Sequence, residues 1–298
     1  MPNTESVNPR FADIDRWTTT EAVEAMLEGQ LSAIASIKSQ TGQIAAAAEA
    51  AAERLRDGGR LVYVGAGTSG RVAVQDGVEL GPTFGWPNTR LLYLIAGGTD
   101  ALVRSAEGAE DDADDARSRI DEAAIGSGDV VIGVAASGRT PFTIAALKAA
   151  KAAGALTIAI ANNAGTELLQ VAGHGLLAAT GSEAIAGSTR MKAGTAQKAI
   201  LNLLSTAIML RLGRVYRGLM VDMVISNEKL LNRAFGIVRA LSDCSEATAV
   251  KAVHLAGNDI KTAVLIALGK DPVEAAALLR DHGGILRDAV ESMNGNRP

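Results

Sequence analysis

LVYVGAGTSGR, residues 61–71, decides the fold. Four apolar residues run directly into Gly65-Ala66-Gly67-Thr68-Ser69-Gly70, and sequence at helical spacing follows. A short unbroken apolar run predicts a strand buried on both faces. Its glycine-rich exit predicts a tight strand-to-helix turn. The alternation recurs outward along the chain. Residues 91–95 (LLYLI), 130–135 (VVIGVA) and 156–160 (LTIAI) are further apolar runs, and 174–179 (HGLLAA) supplies a fifth. Longer Ala-rich stretches lie between them. The pattern predicts an α/β fold with a parallel sheet covered on both faces.

Outside this core the pattern is helical. Thr18 and Glu21 fit a capping box at the start of one helix. A second helix fills 40–56 and stops at Asp57-Gly58-Gly59. Residues 188–213 read as one long helix, and short helices follow from about 240. The expected division is 1–56, an N-terminal helical segment; 57–220, the sheet domain; and 221–298, a helical C-terminal region.

Composition narrows the function. The 298 residues carry 29 Lys plus Arg against 33 Asp plus Glu, a net charge of −4. This mild acidity argues against a nucleic-acid-binding surface, which needs clustered Lys and Arg. Aromatic residues are only 3%, so the core must be built from Ala, Val, Ile and Leu. One cysteine, Cys244, excludes a disulfide framework and a Cys-rich zinc site. The dispersed His174, His254 and His282 offer no His-based metal site. No apolar segment follows a basic start, and no run approaches the ~20 apolar residues of a membrane span. The expectation is a soluble, cytoplasmic protein without a metal.

Ligands of open parallel sheets bind at the carboxyl ends of the strands. Three such ends carry small polar residues. At Gly65–Gly70, glycines allow an anion close to the backbone, while Thr68 and Ser69 add donors. The turn resembles GxGxxG, yet the next strand ends in Ala96-Gly97-Gly98-Thr99 and lacks the acid of a dinucleotide site. At Ala136–Pro141, Ser137, Gly138, Arg139 and Thr140 can hold a phosphate, or simply cap a helix that starts at Pro141. At Gly187–Thr195, Ser188 or Thr189 can cap the long helix, with Arg190 and Lys192 adding charge. Two acidic sites remain. Glu79 sits in QDGVELGP (75–82), and Glu107, Glu110, Asp111 and Asp114 fall on one face of a helix. Spacing alone makes that face solvated and singles out neither Glu79 nor Glu110. His282-Gly283-Gly284 fits a helix C-cap or a loop reaching a site.

The motifs form a set. LVYVGAGTSGR (61–71), EGAED (107–111), GVAASGRTP (133–141), GSTRMKAGTAQK (187–198) and LMVDMVISNEKL (219–230) resemble the N-acetylmuramic acid 6-phosphate etherase family. Thr4-Glu5-Ser6-Val7-Asn8 is similar to that family's N-terminal TExxN signature, and the HGG at 282–284 fits. The resemblance implies a SIS (sugar isomerase) fold with a five-stranded parallel sheet, a homodimer and a small C-terminal helical domain. It implies an amino sugar phosphate substrate, loss of D-lactate by elimination and hydration, and no metal or redox cofactor. It assigns Glu79 as proton donor, with a pKa raised by partial burial, and Glu110 as the second acid/base. The phosphate would lie among Gly67, Thr68, Ser69, Ser137, Gly138, Arg139, Thr140, Ser188 and Thr189. Apart from the resemblance, a site shared with a partner subunit is expected, with His282 or residues 226–232 as the candidates, because the helical C-terminal region has to pack somewhere. The acid segment reads QDGVELGPT where the family pattern is closer to DASECPPT, a departure that bears on local packing.

Rival readings share the fold. A sugar-phosphate aldose–ketose isomerase uses the same C2 deprotonation, but GSTRMKAGTAQK and NEKL favour the etherase. A non-catalytic sugar-phosphate regulator usually carries a basic DNA-reading helix, which the N-terminal region lacks. The vertebrate glucokinase regulator has two such domains, more than 298 residues hold. A nicotinamide enzyme is the weakest rival.

Overall fold

The computed structural model describes residues 3–104 and 106–295. The chain forms two compact units, one of residues 1–77 and 89–208, the other of residues 78–88 and 209–298. Two helices open the first unit, α1 (Thr19–Ser36) and α2 (Thr41–Arg56). Thr18 and Glu21 make the capping box, with the Glu21 N–H on Thr18 Oγ1 at 3.3 Å and the Thr18 N–H on Glu21 Oε2 at 2.9 Å. Then strands and helices alternate: β1 (Leu61–Gly65), α3 (Gly67–Val78), β2 (Leu91–Ile95), α5 (Ala113–Glu122), β3 (Val130–Val134), α6 (Pro141–Ala152), β4 (Leu156–Ala161), α7 (Glu167–Val171) and β5 (His174–Leu177). The short α4 (Leu80–Phe84) intervenes after α3, and α8 (Lys192–Arg211) follows β5.

All five strands are parallel, in the order β2-β1-β3-β4-β5. Every residue of β1 and β3 is buried, which is why these runs show no polar alternation. Period two still sorts their side chains between the faces. Val62, Val64 and Val131 join Ile120 of α5 with Phe142 and Leu147 of α6 in one apolar layer. Tyr63 points the other way and donates its hydroxyl to Asp76 of α3 at 3.0 Å. On that layer α2 offers only Ala and Leu from its later turns, the small residues that let a helix lie close on a sheet.

In the second unit, the β6–β7 hairpin (Val215–Tyr216 and Leu219–Met220) precedes five helices. Arg217 and Gly218 both have positive φ at its turn, 49° and 77°. The helices are α9 (Glu228–Ser242), α10 (Glu246–Leu255), α11 (Ile260–Ala267), α12 (Pro272–Asp281) and α13 (Leu286–Gly295). They enclose a core around Val221, Val238, Val253, Val264 and Leu265.

Three expectations differ from the structure. Residues 78–88 fall in the second unit because Arg214 donates to the carbonyls of Phe84 and Gly85 at 3.2 and 3.3 Å, and Val224 N–H donates to Pro82 O at 3.2 Å. The long helix starts at Lys192 and not at Ser188. The acidic run is not one helix face. Glu110 and Asp111 lie in a separate 3-10 turn after Gly108 (φ 73°), and α5 begins only behind the capping side chain of Asp112. Among the described residues no helix is long and apolar enough to cross a membrane.

Candidate active site

A cavity of about 350 Å³ opens over the carboxyl ends of β1 and β3. Its first wall is the β1–α3 turn, Ala66–Ser69. Gly67 takes φ 51°, a conformation that a side chain would strain. The first helical bond of α3 runs from Gly70 N–H to Ala66 O at 3.1 Å. The amides before it have no carbonyl within the helix, so the positive end of α3 stands at this wall of the cavity. Gly65 and Gly70 pack backbone to backbone here, since a Cβ on Gly70 would sit 3.0 Å from Gly65 O.

The second wall is the β3–α6 loop, which contributes Ser137, Arg139, Thr140 and Pro141. Ser137 Oγ accepts the Arg139 N–H at 3.1 Å. Thr140 stands at the N-cap position of α6, yet its hydroxyl makes no capping bond. That side chain lines the cavity, and the plain capping alternative does not describe it. Gly138 does not line the cavity. It has φ 65°, and a Cβ there would fall 2.3 Å from Thr166 Oγ1. Its part is to let the loop pass Thr166.

The third wall is the turn before α8. Thr189 lines the cavity, whereas Ser188 does not. Neither caps α8. The helix is capped by Glu183, a buried carboxylate that accepts the N–H groups of Lys192 and Ala193, both at 2.9 Å. The sequence gives no local hint of this, because the capping acid lies nine residues upstream of Lys192.

Glu110 and Asp111 bring carboxylates to the same cavity. Arg71 of α3 donates its guanidinium to the carbonyls of Ala101, Leu102 and Arg104 at 2.8 to 3.3 Å. The arginine of GTSGR thus braces the chain that follows β2 against α3. Glu5 also lines the cavity, although no strand-end motif marks it as a site residue. Its only signal in the sequence is its place in the TExxN stretch.

Behind the turn, Asp76 is buried and accepts bonds from Tyr63 Oη, Asn202 Nδ2 (2.6 Å) and Ser205 Oγ (3.2 Å). Burial pushes its carboxyl above the ordinary value despite these three donors. The Tyr93 hydroxyl is pushed up to about 12 by burial and by Asp76.

Glu79 belongs to the second unit, at the start of α4, with no capping bond. Its side chain is exposed, so the partial burial expected of it is not found. His282, in the same unit, ends α12 with its N–H on Leu278 O at 3.2 Å, followed by Gly283 and Gly284 at φ 59° and 75°. That is the C-cap alternative. In the 226–232 segment, Asn227 caps α9 through the Leu230 N–H at 3.0 Å. Among the described residues no group of three His, Cys, Asp or Glu is placed to hold a metal.

Two family models match the chain: the glucokinase regulatory protein N-terminal SIS domain over residues 43–151, and the SIS domain over residues 111–207. The N-acetylmuramic acid 6-phosphate etherase of Deinococcus radiodurans is 45% identical over 96% of this chain and 94% of its own length. The protein of that name from Rubrobacter xylanophilus is 44% identical over 99% of this chain and 97% of its own length. Among solved structures, a Bacteroides fragilis protein described as a phosphosugar isomerase of capsule formation aligns with a TM-score of 0.51. It is 21% identical over 64% of this chain and 90% of that one, a likeness of fold.

Proposed function

The chain belongs to the N-acetylmuramic acid 6-phosphate etherase family, and from that premise we propose how it removes D-lactate from N-acetylmuramic acid 6-phosphate. The products are D-lactate and N-acetylglucosamine 6-phosphate, a step in murein recycling. One observation carries the assignment of the site. A single cavity at the carboxyl edge of the sheet combines the start of α3 and several hydroxyls with the carboxylate of Glu110.

The two ends of that cavity suit the two ends of the substrate. Thr68, Ser69, Ser137, Thr140 and Thr189 offer hydroxyls to the phosphate, and the α3 amides and Arg139 add positive potential. An alkyl ether resists direct hydrolysis. In the open-chain sugar, though, the C2 proton is alpha to the C1 aldehyde. Glu110 takes that proton, the C3–O bond breaks, and the electron pair of the C2–H bond becomes the C2=C3 double bond. The departing lactyl oxygen takes a proton from an acid, which the motif likeness assigns to Glu79. Water then adds at C3 and a proton returns to C2. Carboxyl groups suffice for each transfer.

A homodimer is part of the proposal. It is supported by the exposed stripe Val23, Leu27, Leu31 and Ile34, spaced i, i+4, i+8 and i+11 along α1. A monomer by light scattering would remove that element.

The test is turnover of N-acetylmuramic acid 6-phosphate in heavy-oxygen water, without added metal or cofactor. Unlabelled lactate and label at C3 of the sugar are expected. Labelled lactate would mean cleavage on the lactyl side and would overturn the mechanism. Glu110→Gln should abolish both lactate release and exchange of the C2 proton with deuterated solvent.

A further inference from the structure

We propose that Glu5 is a substrate-recognition residue, whose carboxylate accepts a hydrogen bond from a donor group on the sugar; the inference rests on the etherase reading above. Glu5 comes to the cavity from the N-terminal 3-10 turn, far in sequence from every other lining residue. The turn is fixed there. Thr4 is fully buried, with its Oγ1 accepting from Asn163 Nδ2 at 3.1 Å, and its carbonyl accepting the Gly187 N–H at 3.1 Å. The Asn163 amide also donates to Ala136 O at 2.9 Å, so one side chain ties the N-terminal turn to the β3–α6 loop.

The carboxylate lies against the turn before α8: Gly187 takes φ 75°, and a Cβ at that position would lie 2.8 Å from Glu5 Oε2. Glu5 is exposed, and among the described residues its carboxylate has no hydrogen-bond or ion-pair partner, although Thr4 before it is held by three bonds, from its N–H to Asn163 Oδ1, to its Oγ1 from Asn163 Nδ2 and to its carbonyl from Gly187 N–H. A fixed turn thus presents an acid with free acceptor oxygens to the cavity.

Charge decides what it waits for. The substrate carries a phosphate and a lactyl carboxylate, so an extra carboxylate in the cavity repels it unless a donor is met. The elimination and hydration need two acids, and Glu5 is beyond that need. The donors on the sugar are its hydroxyls and the acetamido N–H. A hydrogen bond to a charged acceptor outweighs its neutral counterpart by about tenfold in affinity.

The experiment compares wild type with Glu5→Gln by lactate release, using three inhibitors: N-acetylglucosamine 6-phosphate, glucose 6-phosphate and inorganic phosphate. The expected result is a KM and an N-acetylglucosamine 6-phosphate Ki both raised about tenfold, with the inorganic phosphate Ki unchanged or lower. If the glucose 6-phosphate Ki rises in step, the donor is a hydroxyl; if it does not move, the donor is the acetamido N–H. An unchanged N-acetylglucosamine 6-phosphate Ki overturns the inference. So does a phosphate Ki that rises in parallel, because Glu5 would then act by shaping the phosphate loops. Should Glu5→Gln fail to fold, Glu5→Asp must give the same pattern at smaller size. No lactate release by wild type would instead defeat the etherase reading.

Discussion

Removing the cap of α8 separates two accounts of this helix. Glu183 is 1% exposed and holds two amides, Lys192 N–H and Ala193 N–H, at 2.9 Å each. A hydrogen bond to a charged group contributes about 1.5–3 kcal/mol, and an anion at a helix N-terminus adds up to about 1 kcal/mol. Water entering the space left by Glu183→Ala restores part of this, so the net cost should be about 3 kcal/mol. Glu183→Gln keeps one accepting oxygen but turns an NH2 toward the other amide, and should cost about 2 kcal/mol. Ser188→Ala, by contrast, should change stability by less than about 0.5 kcal/mol, as a surface substitution does. The assay is the urea midpoint, read by a probe in the sheet unit, with KM measured alongside. KM should rise in both Glu183 variants, because Gly194 N–H is bonded to Thr189 O and a frayed first turn lets Thr189 drift from the cavity. Equal destabilisation by Ser188→Ala and Glu183→Ala would refute the reasoning, as would a Glu183→Ala cost under about 1 kcal/mol.

Lys261→Met should cost the second unit about 1–3 kcal/mol at neutral pH, since it takes away the ammonium 2.6 Å from the half-buried Asp222 and leaves that carboxylate only Arg214, at 3.7 Å. Adding Asp222→Leu should recover most of that in the same denaturation assay, and no recovery would mean that packing is the cause. Asp129 titrates in the opposite sense to Asp76. Burial raises the Asp129 carboxyl, but the hydrogen bonds from Arg60 and the Gly126 and Arg60 amides bring it below the ordinary value. Its contribution is full above the unfolded carboxylate pKa of about 4 and is lost as pH falls through the folded value. Asp129→Asn should therefore flatten the acid limb of the stability curve. Asp76 is raised, so its charge costs stability that grows as pH rises from about 4 through the folded value. Replacing it with Asn should remove that part of the slope, and an unaltered slope would show that Asp76 does not titrate there. Gly138→Ala should lower stability by more than about 1 kcal/mol, because strain at positive φ adds to the 2.3 Å approach to Thr166; a neutral midpoint would refute the close-approach account.

The sheet was legible in the sequence because its central strands are buried on both faces, which leaves unbroken apolar runs ending in small polar residues. What was not legible is nonlocal. The preference of Ser and Thr for capping positions pointed to Ser188 and Thr189, but the α8 amides are taken by an acid from an earlier loop. Helical spacing joined Glu107 to Asp114, while Gly108 and the cap at Asp112 break the run. Residues 78–88 join the second unit through Arg214 and Val224, more than a hundred residues away. The hairpin at 215–220 has two-residue strands, too short to show a period. At the site, the strand-end motifs announced Ser69, Ser137 and Thr140. Glu5 was hidden because only tertiary structure brings the N-terminal turn to the cavity.

The polar residues around the cavity divide by what they touch, and the division explains how an Ala-rich core supports a polar site. Thr4, Asn162, Asn163, Gln197 and Glu183 are buried. They bond to backbone or to each other: Asn163 to Thr4 and Ala136, Gln197 to Asn162, Glu183 to the start of α8. These bonds tie together the N-terminal turn, the loops after β3 and β4 and the first turns of α8. They offset much of the desolvation of these groups and hold the loops in place. Thr140 makes no capping bond, Glu5 has no partner among the described residues, and the first α3 amides lack helical carbonyls. Those groups line an open cavity, where solvation keeps the cost of their unpaired state low. A sugar phosphate then meets donors and acceptors already in position, so binding orders few side chains and more of the interaction energy remains for the substrate. The same logic places sensitivity where the sequence is hardest to read. Substitutions in the paired, buried set should change stability and KM together, whereas substitutions in the unpaired set should change KM or kcat with stability intact.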